Sequence, residues 1–122
     1  DTRLVCSNIF TSPEIATVGY TENDVKTGVV NGIVHKLDLD ANPRAKMQGT
    51  TDGFVKLIAQ PESGILIGGV IVAPRASELI NFLSFAMEHR HTVDQIARSW
   101  SVYPSLAGGI ADTAKAMHLL KK

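Results

Sequence analysis

The sequence lacks most of the features that mark secreted, membrane-bound or nucleic-acid-binding proteins. It contains one cysteine, Cys6, so no disulfide can form within the chain, and we expect a reducing, cytoplasmic setting. Its 12 basic and 12 acidic side chains cancel, which gives no electrostatic reason to bind nucleic acid or an anionic membrane. The longest apolar run, Gly64–Pro74, is too short to cross a bilayer. These absences favour an ordinary globular domain.

Motifs for cofactors and metals are scarce as well. The chain has no Gly-x-Gly-x-x-Gly fingerprint and no cysteine pair, which argues against a complete nucleotide site or a redox disulfide. His89 and His91 are two residues apart, but no further ligands follow at a matched spacing, so we predict no metal site. Arg44 and Lys46 lie in a turn-rich segment after Asn42, where we expect solvated side chains rather than a phosphate site.

The apolar patterns place strands first along the chain and helices afterwards. Thr21 followed by Asp24 is typical of a helix N-cap, and the short helix it opens stops at Gly28. A five-residue segment with Pro61 and Gly64 joins the two strongest strand signals as a hairpin. Strands are predicted at Leu4–Phe10, Ile15–Tyr20, within Val29–Leu39, at Gly53–Ala59 and at Ile65–Val72. We therefore predict one α+β domain over residues 1–122, an antiparallel sheet with helices packed on one side.

Helical spacing begins after Pro74 and predicts a long helix over Ser77–Glu88. Its apolar side chains cover an arc of about 220°, whereas one contact with a sheet needs only about 100°. The surplus predicts a second buried contact, with a partner subunit, through Ile80, Phe82, Phe85 and Met87. Further helices are predicted from the Thr92 capping box to Arg98 and over Leu106–Leu120, with Trp100–Tyr103 extended between them.

Three segments carry a family resemblance. Ile9–Gly19 resembles the opening of the interface domain of dihydrolipoamide dehydrogenase, glutathione reductase and mercuric reductase. Gly53–Ile58 is similar to that domain's central strand, and Gly68–Ile80 to its junction between a strand and the long helix. The chain thus resembles, over nearly its whole length, the C-terminal dimerisation domain of the pyridine nucleotide-disulfide oxidoreductases.

The resemblance implies that residues 1–122 are part of a longer homodimeric enzyme whose FAD and NAD(P) domains lie upstream. FAD and NAD(P)H would belong to that parent enzyme, and this domain alone would bind no cofactor and have no activity. In the family, such a domain closes each active site against the flavin and disulfide of the partner subunit.

The catalytic motif of the family corresponds to Tyr103–Gly108. Disulfide reductases have histidine at its first position and glutamate at its sixth, where this chain has Tyr103 and Gly108. Histidine titrates near pH 6.5 and tyrosine near pH 10, so Tyr103 does not replace the histidine as a proton shuttle at neutral pH. The resemblance therefore implies that this chain supplies no catalytic residue. Tyr103 and Pro104 are expected to face the partner's flavin site, and the peptide bond between them is expected to be cis. Ser105 is expected to cap the last helix.

The loss of that pair directs the expected reaction away from disulfide chemistry. Val102–Ile110 is similar to an actinobacterial branch of the family whose members reduce quinones with NAD(P)H. We therefore expect a parent enzyme that passes electrons to quinone-like acceptors. Three alternatives stay open: a conventional dihydrolipoamide dehydrogenase, a mercuric reductase-like enzyme and a stand-alone interaction module. Mercuric reductases end in a cysteine pair, whereas this sequence ends Leu119–Lys122.

Overall fold

Among the residues that the structure describes, one antiparallel sheet of five strands carries two long helices on one face. The computed structural model describes residues 5–11, 13–42, 52–98 and 108–121. The sheet has the order β1-β2-β5-β4-β3, and every neighbouring pair is antiparallel. Its strands are β1 (Ser7–Ile9), β2 (Glu14–Gly19), β3 (Ile33–Asp38), β4 (Phe54–Ala59) and β5 (Leu66–Ala73). The helices are α1 (Glu22–Lys26), α2 (Ala76–Glu88), α3 (Val93–Ala97) and α4 (Gly108–Lys121), with a 3₁₀ turn at Leu39–Ala41.

The two long helices lie side by side on the same face of this sheet. α2 packs over β5 and β2, α4 packs over β4 and β3, and α3 packs against α4. The predicted α+β class, an antiparallel sheet with helices packed on it, is confirmed. The two long helices share one side as expected, whereas the short α1 lies on the other side, where Glu22 pairs with Lys56.

The core lies between the sheet and these helices. Residues paired across antiparallel strands point to the same face, so Ala16, Ile71 and Val55 form one row under the helices. Val18, Gly69 and Leu57 form the next row, and every residue of the two rows is buried. Ile80, Leu83, Ile110, Ala114 and Met117 fill the space above them.

A glycine in β5 allows α2 to lie close to the sheet. A Cβ atom at Gly69 would be 2.6 Å from Cδ1 of Leu83 and 3.3 Å from the carbonyl oxygen of Lys56. A larger residue at this central position would push α2 away from the sheet or force Leu83 into another conformation.

Both predicted capping boxes are confirmed. Oγ1 of Thr21 accepts from the Asp24 backbone N–H at 3.1 Å, and Oδ2 of Asp24 accepts from the Thr21 N–H at 2.9 Å. Thr92 and Gln95 make the same reciprocal pair at the start of α3. Each box satisfies two backbone donors that the first turn of a short helix leaves without a partner.

α2 begins without a cap from its own sequence. Arg75 occupies the cap position with φ of 58° and makes no side-chain hydrogen bond to the helix. Oε1 of Glu14, in β2, accepts instead from the backbone N–H of Ser77 at 3.2 Å and from Nδ2 of Asn8 at 3.3 Å. The Ser77 hydroxyl and its backbone N–H hold the pKa of the Glu14 carboxyl below its ordinary value of 4.5. A strand residue thus caps the long helix.

One expected element boundary needs correction, and others fall outside the described residues. The first strand was expected over Leu4–Phe10, but pairing with β2 is limited to Ser7–Ile9, because Thr11 already turns back to bond the Ile9 carbonyl. β3, at Ile33–Asp38, lies within the predicted segment Val29–Leu39, and Leu39 opens the 3₁₀ turn, where its side chain is buried in the core. Trp100–Tyr103 and Leu106 lie outside the described residues.

The Glu14 cap predicts a pH-dependent loss of stability. Because folding lowers the pKa of this carboxyl, its contribution is fully present above about pH 4.5 and fades as pH falls through the lower folded pKa. We expect Glu14→Ala and, to a lesser degree, Glu14→Gln to lower the urea midpoint at pH 7, with both differences shrinking at pH 3. Glu62→Gln, at an exposed carboxylate in the β4–β5 turn, is the matched control. Equal effects of Glu14→Gln and Glu62→Gln at pH 7 would contradict the role of Glu14.

Candidate dimer interface and the start of the last helix

α2 presents apolar side chains on two sides. Ala76, Ile80, Leu83 and Ala86 are buried against the sheet. Phe82 and Phe85 point outward and remain 41% and 59% exposed. The apolar arc is therefore wider than the contact with the sheet requires.

The four side chains predicted to contact a partner do not share one surface. Ile80 is only 1% exposed and belongs to the core, so its assignment to a partner contact is corrected: it lies on the inner part of the same wide arc. Met87 is partly buried and packs on the core, and a Cβ atom at Gly19 would be 2.6 Å from its Cε. Phe82 and Phe85 are left as the outward-facing members of the set.

His89 extends this outer surface at the end of α2. Its ring centroid lies 4.4 Å from that of Phe85, with the two rings tilted by 55°. At about 100° per residue, Phe82, Phe85 and His89 fall within about 60° of one another around the helix axis. We call these three residues the aromatic face. Exposed aromatic side chains grouped in this way are typical of a protein–protein contact.

The two histidines at the end of α2 are not arranged as metal ligands. The ring centroids of His89 and His91 are 6.2 Å apart. Nδ1 of His91 donates to Oε1 of Gln95 at 3.1 Å, the same oxygen that accepts from the Thr92 N–H in the α3 capping box. Within the described ranges, no three His, Cys, Asp or Glu side chains form a group that would hold a metal ion.

The second region of interest is the start of α4. Gly108, which the sequence resemblance assigns to the position of the family's glutamate, is the first residue of this helix. Tyr103, Pro104 and Ser105, and with them the predicted cis bond and helix cap, lie outside the described residues.

Asn42 is a buried residue at this helix start that the sequence did not identify. Its side chain is 2% exposed, and a Cβ atom at Gly109 would be 3.3 Å from its Nδ2 and 3.6 Å from Cγ2 of Val55. Oγ1 of Thr113, also buried, donates to the Gly109 carbonyl at 2.6 Å within the helix. The sequence pattern marked Asn42 only as the start of a turn, because nothing local reveals that α4 packs on it.

A surface groove beside α1 does not fit a nucleotide. It is lined by one carboxylate, Glu62, and otherwise by uncharged residues: Val25, Val30, Asn31, Gly32, Gln60, Pro61 and Ser63. A groove without a cationic side chain is poorly suited to a pyrophosphate. No helix among the described residues has the length and apolar character that a membrane crossing requires.

Comparison with known proteins identifies the family. Residues 5–114 match the family model described as "Pyridine nucleotide-disulphide oxidoreductase, dimerisation domain". The chain belongs to this family. The match covers all five strands and extends into α4.

Similar proteins in the family carry two different names. The chain is 43% identical to an NAD(P)H dehydrogenase (quinone) of Mycobacterium tuberculosis over 94% of its own length and 23% of that protein. It is 37% identical to a dihydrolipoyl dehydrogenase of Haloferax volcanii, over 100% of this chain and 27% of that protein. The crystal structure of LpdA from Mycobacterium tuberculosis superposes with a TM-score of 0.93 at 42% identity, covering 96% of this chain and 26% of that one. The chain thus spans about a quarter of the length of these relatives.

The contact between Gly109 and Asn42 predicts that the start of α4 tolerates no side-chain bulk. We expect Gly109→Val to destabilise the domain by about 1–3 kcal/mol, because its branched side chain would press against Asn42 and Val55. Lys115→Val, on the exposed side of the same helix, introduces the same residue and should cost less than about 1 kcal/mol. Urea denaturation followed by circular dichroism measures both. A similar loss in the two variants would show that α4 is not tightly packed at its first turn.

Proposed function

We propose that this chain is the dimerisation domain of a longer FAD-dependent NAD(P)H oxidoreductase, and that it joins two subunits through the aromatic face of α2. The main support for the proposal is the exposure of Phe82 and Phe85. The opposite side of the same helix is buried in the core of the domain, so these two side chains are available to a partner. The family's description as a dimerisation domain and the fourfold greater length of the relatives support it.

The charge pattern of α2 favours a second copy of the same helix as the partner. Glu78 is exposed one turn before Phe82 and lies within about 40° of it around the helix axis. His89 lies at the other end of the same stripe. If two α2 helices cross antiparallel about a twofold axis, each Glu78 approaches the partner's His89, with the phenylalanines between them. Such a surface is complementary to itself, as a twofold interface requires.

The aromatic face predicts how single charges affect dimerisation. In the parent enzyme we expect Phe85→Glu to weaken the dimer at least about 30-fold, because a buried aromatic contact worth about 2 kcal/mol is replaced by a carboxylate. Val29→Glu is the matched control, since Val29 is 66% exposed but lies in the segment between α1 and β3. Sedimentation velocity over a dilution series measures both. Unchanged dissociation constants for Phe85→Glu would rule out α2 as the dimer contact.

We further propose that the parent enzyme reduces quinone-like acceptors. The observation that supports this reaction is the replacement of the family's His/Glu pair by Tyr103 and Gly108. Glycine provides no carboxylate, and an ordinary tyrosine stays protonated at neutral pH. The similarity to an NAD(P)H dehydrogenase (quinone) supports the same reaction. FAD and NAD(P)H would be bound by parts of the parent outside these 122 residues, so the isolated domain would be inactive. The single cysteine favours the cytoplasm.

A conventional dihydrolipoyl dehydrogenase is the second candidate. The relative from Haloferax volcanii favours it, because that protein carries this name and is similar over the whole of this chain. In this case the proton shuttle would have to come from a residue other than Tyr103.

Acceptor choice separates the two candidates. We expect the parent enzyme to oxidise NADH or NADPH rapidly with a quinone such as menadione and slowly with lipoamide. The double variant Tyr103→His, Gly108→Glu should raise lipoamide turnover while leaving quinone turnover within a fewfold of the wild type. Brisk lipoamide turnover by the wild type, without quinone reduction, would establish the second candidate instead.

A further inference from the structure

The first turn of α4 has little stability of its own. It begins with Gly108 and Gly109, and glycine is a poor helix former because its backbone loses the most conformational freedom on folding. No acidic residue lies in this turn to interact with the positive end of the helix dipole. The turn therefore depends on contacts with other parts of the domain.

Two buried polar side chains meet at this turn. Asn42, 2% exposed, and Thr113, fully buried, are the only polar side chains classed as buried in the described part of the chain. Oγ1 of Thr113 donates to the Gly109 carbonyl at 2.6 Å, and a Cβ atom at Gly109 would be 3.3 Å from Nδ2 of Asn42. Neither Asn42 nor Gly108 is without a polar partner. Burying a carboxamide costs free energy that an apolar side chain of the same size would not, so Asn42 does more than fill space.

The backbone of Asn42 is fixed to the sheet. Its N–H donates to the Leu39 carbonyl at 2.8 Å, and the Leu39 N–H donates to the carbonyl of Gly53, directly before β4, at 3.1 Å. The Leu39 side chain is buried in the core. Asn42 therefore has a fixed backbone position at the end of the 3₁₀ turn, and its side chain joins that turn to the first turn of α4.

We propose that Asn42 is a positioning residue for the acceptor site of the parent enzyme. This inference rests on the proposed function, because it requires a parent that contains a flavin. The resemblance assigns Tyr103–Gly108 to the catalytic motif that faces the partner's flavin, and Tyr103 precedes Gly108 by only five residues. The position of the first turn of α4 thus limits where this motif can lie. Asn42 acts through that turn, without contact with the flavin or the acceptor.

A positioning role has a consequence that a purely structural role lacks. Without the carboxamide, the glycine turn shifts or frays, and the motif joined to it moves. A displacement of about 1 Å at a reacting centre can cost about 100-fold in rate, so the loss should appear in turnover of the acceptor. FAD and NAD(P)H are bound outside these 122 residues in the proposed parent, so reduction of the flavin by NAD(P)H should be spared.

Three variants of the full-length parent test this assignment. Asn42→Leu has a similar volume but no polar side-chain atom, and Asn42→Asp keeps the shape and an acceptor oxygen at the helix start. Ala114→Gly is the control, because it weakens α4 at a buried position further along the same helix. Steady-state kinetics give kcat and KM for menadione, stopped flow gives the rate of flavin reduction, and visible circular dichroism reports the surroundings of the bound flavin.

We expect Asn42→Leu to raise the KM for menadione about tenfold and to change the visible circular dichroism of the flavin, with flavin reduction within about twofold of the wild type. Asn42→Asp should recover most of the kcat/KM. Ala114→Gly should lower the urea midpoint while leaving the KM and the flavin spectrum unchanged.

The contrary outcomes are distinct. An unchanged KM and flavin spectrum in folded Asn42→Leu would overturn the positioning role. Equal changes in Ala114→Gly, or no recovery in Asn42→Asp, would overturn it as well. If Asn42→Leu does not fold, Asn42→Ala makes the same comparison, because it removes the carboxamide without adding bulk. A wild-type parent that reduces lipoamide and not menadione would overturn only the proposed reaction, and the same measurements with lipoamide would then decide the role of Asn42.

Discussion

The packing of α2 on β5 is the contact on which the rest of the domain depends. β5 is the central strand, and the chain passes from its last residue, Ala73, to the start of α2 at Ala76 through two residues. Gly69 leaves room for Leu83 to approach the strand, and Ile80 fills the core beside it. Because this contact fixes the rotation of α2 about its axis, it also decides that Phe82 and Phe85 point away from the sheet.

The Glu14 carboxylate links this helix to the sheet in a second way. It accepts from the first turn of α2, where Arg75 provides no cap of its own, and from Asn8 of β1. One side chain therefore connects the edge strand, β2 and the helix that bears the aromatic face. Holding the first turn of α2 in place favours binding through this helix, because side chains that are already ordered lose less conformational entropy when a partner binds.

Much of the fold followed from local patterns in the sequence. The Thr21 and Thr92 capping boxes, the hairpin around Pro61 and Gly64, and the α2 periodicity each depend on neighbouring residues, and each was predicted correctly. The wide apolar arc also indicated that α2 has more apolar surface than a sheet can cover. The sequence could not assign Ile80 to the inner side and Phe82 to the outer side, because both lie on that arc.

By itself the sequence determined the α+β class and the family, because strand and helix periods and motif positions are local properties. Only the tertiary structure decided that Glu14 caps α2, that Asn42 is buried beside Gly109, and that four strands bring Ile9, Ile15, Val72 and Phe54 together. These contacts join residues far apart in the chain, and strand register and helix packing set them rather than any neighbouring residue.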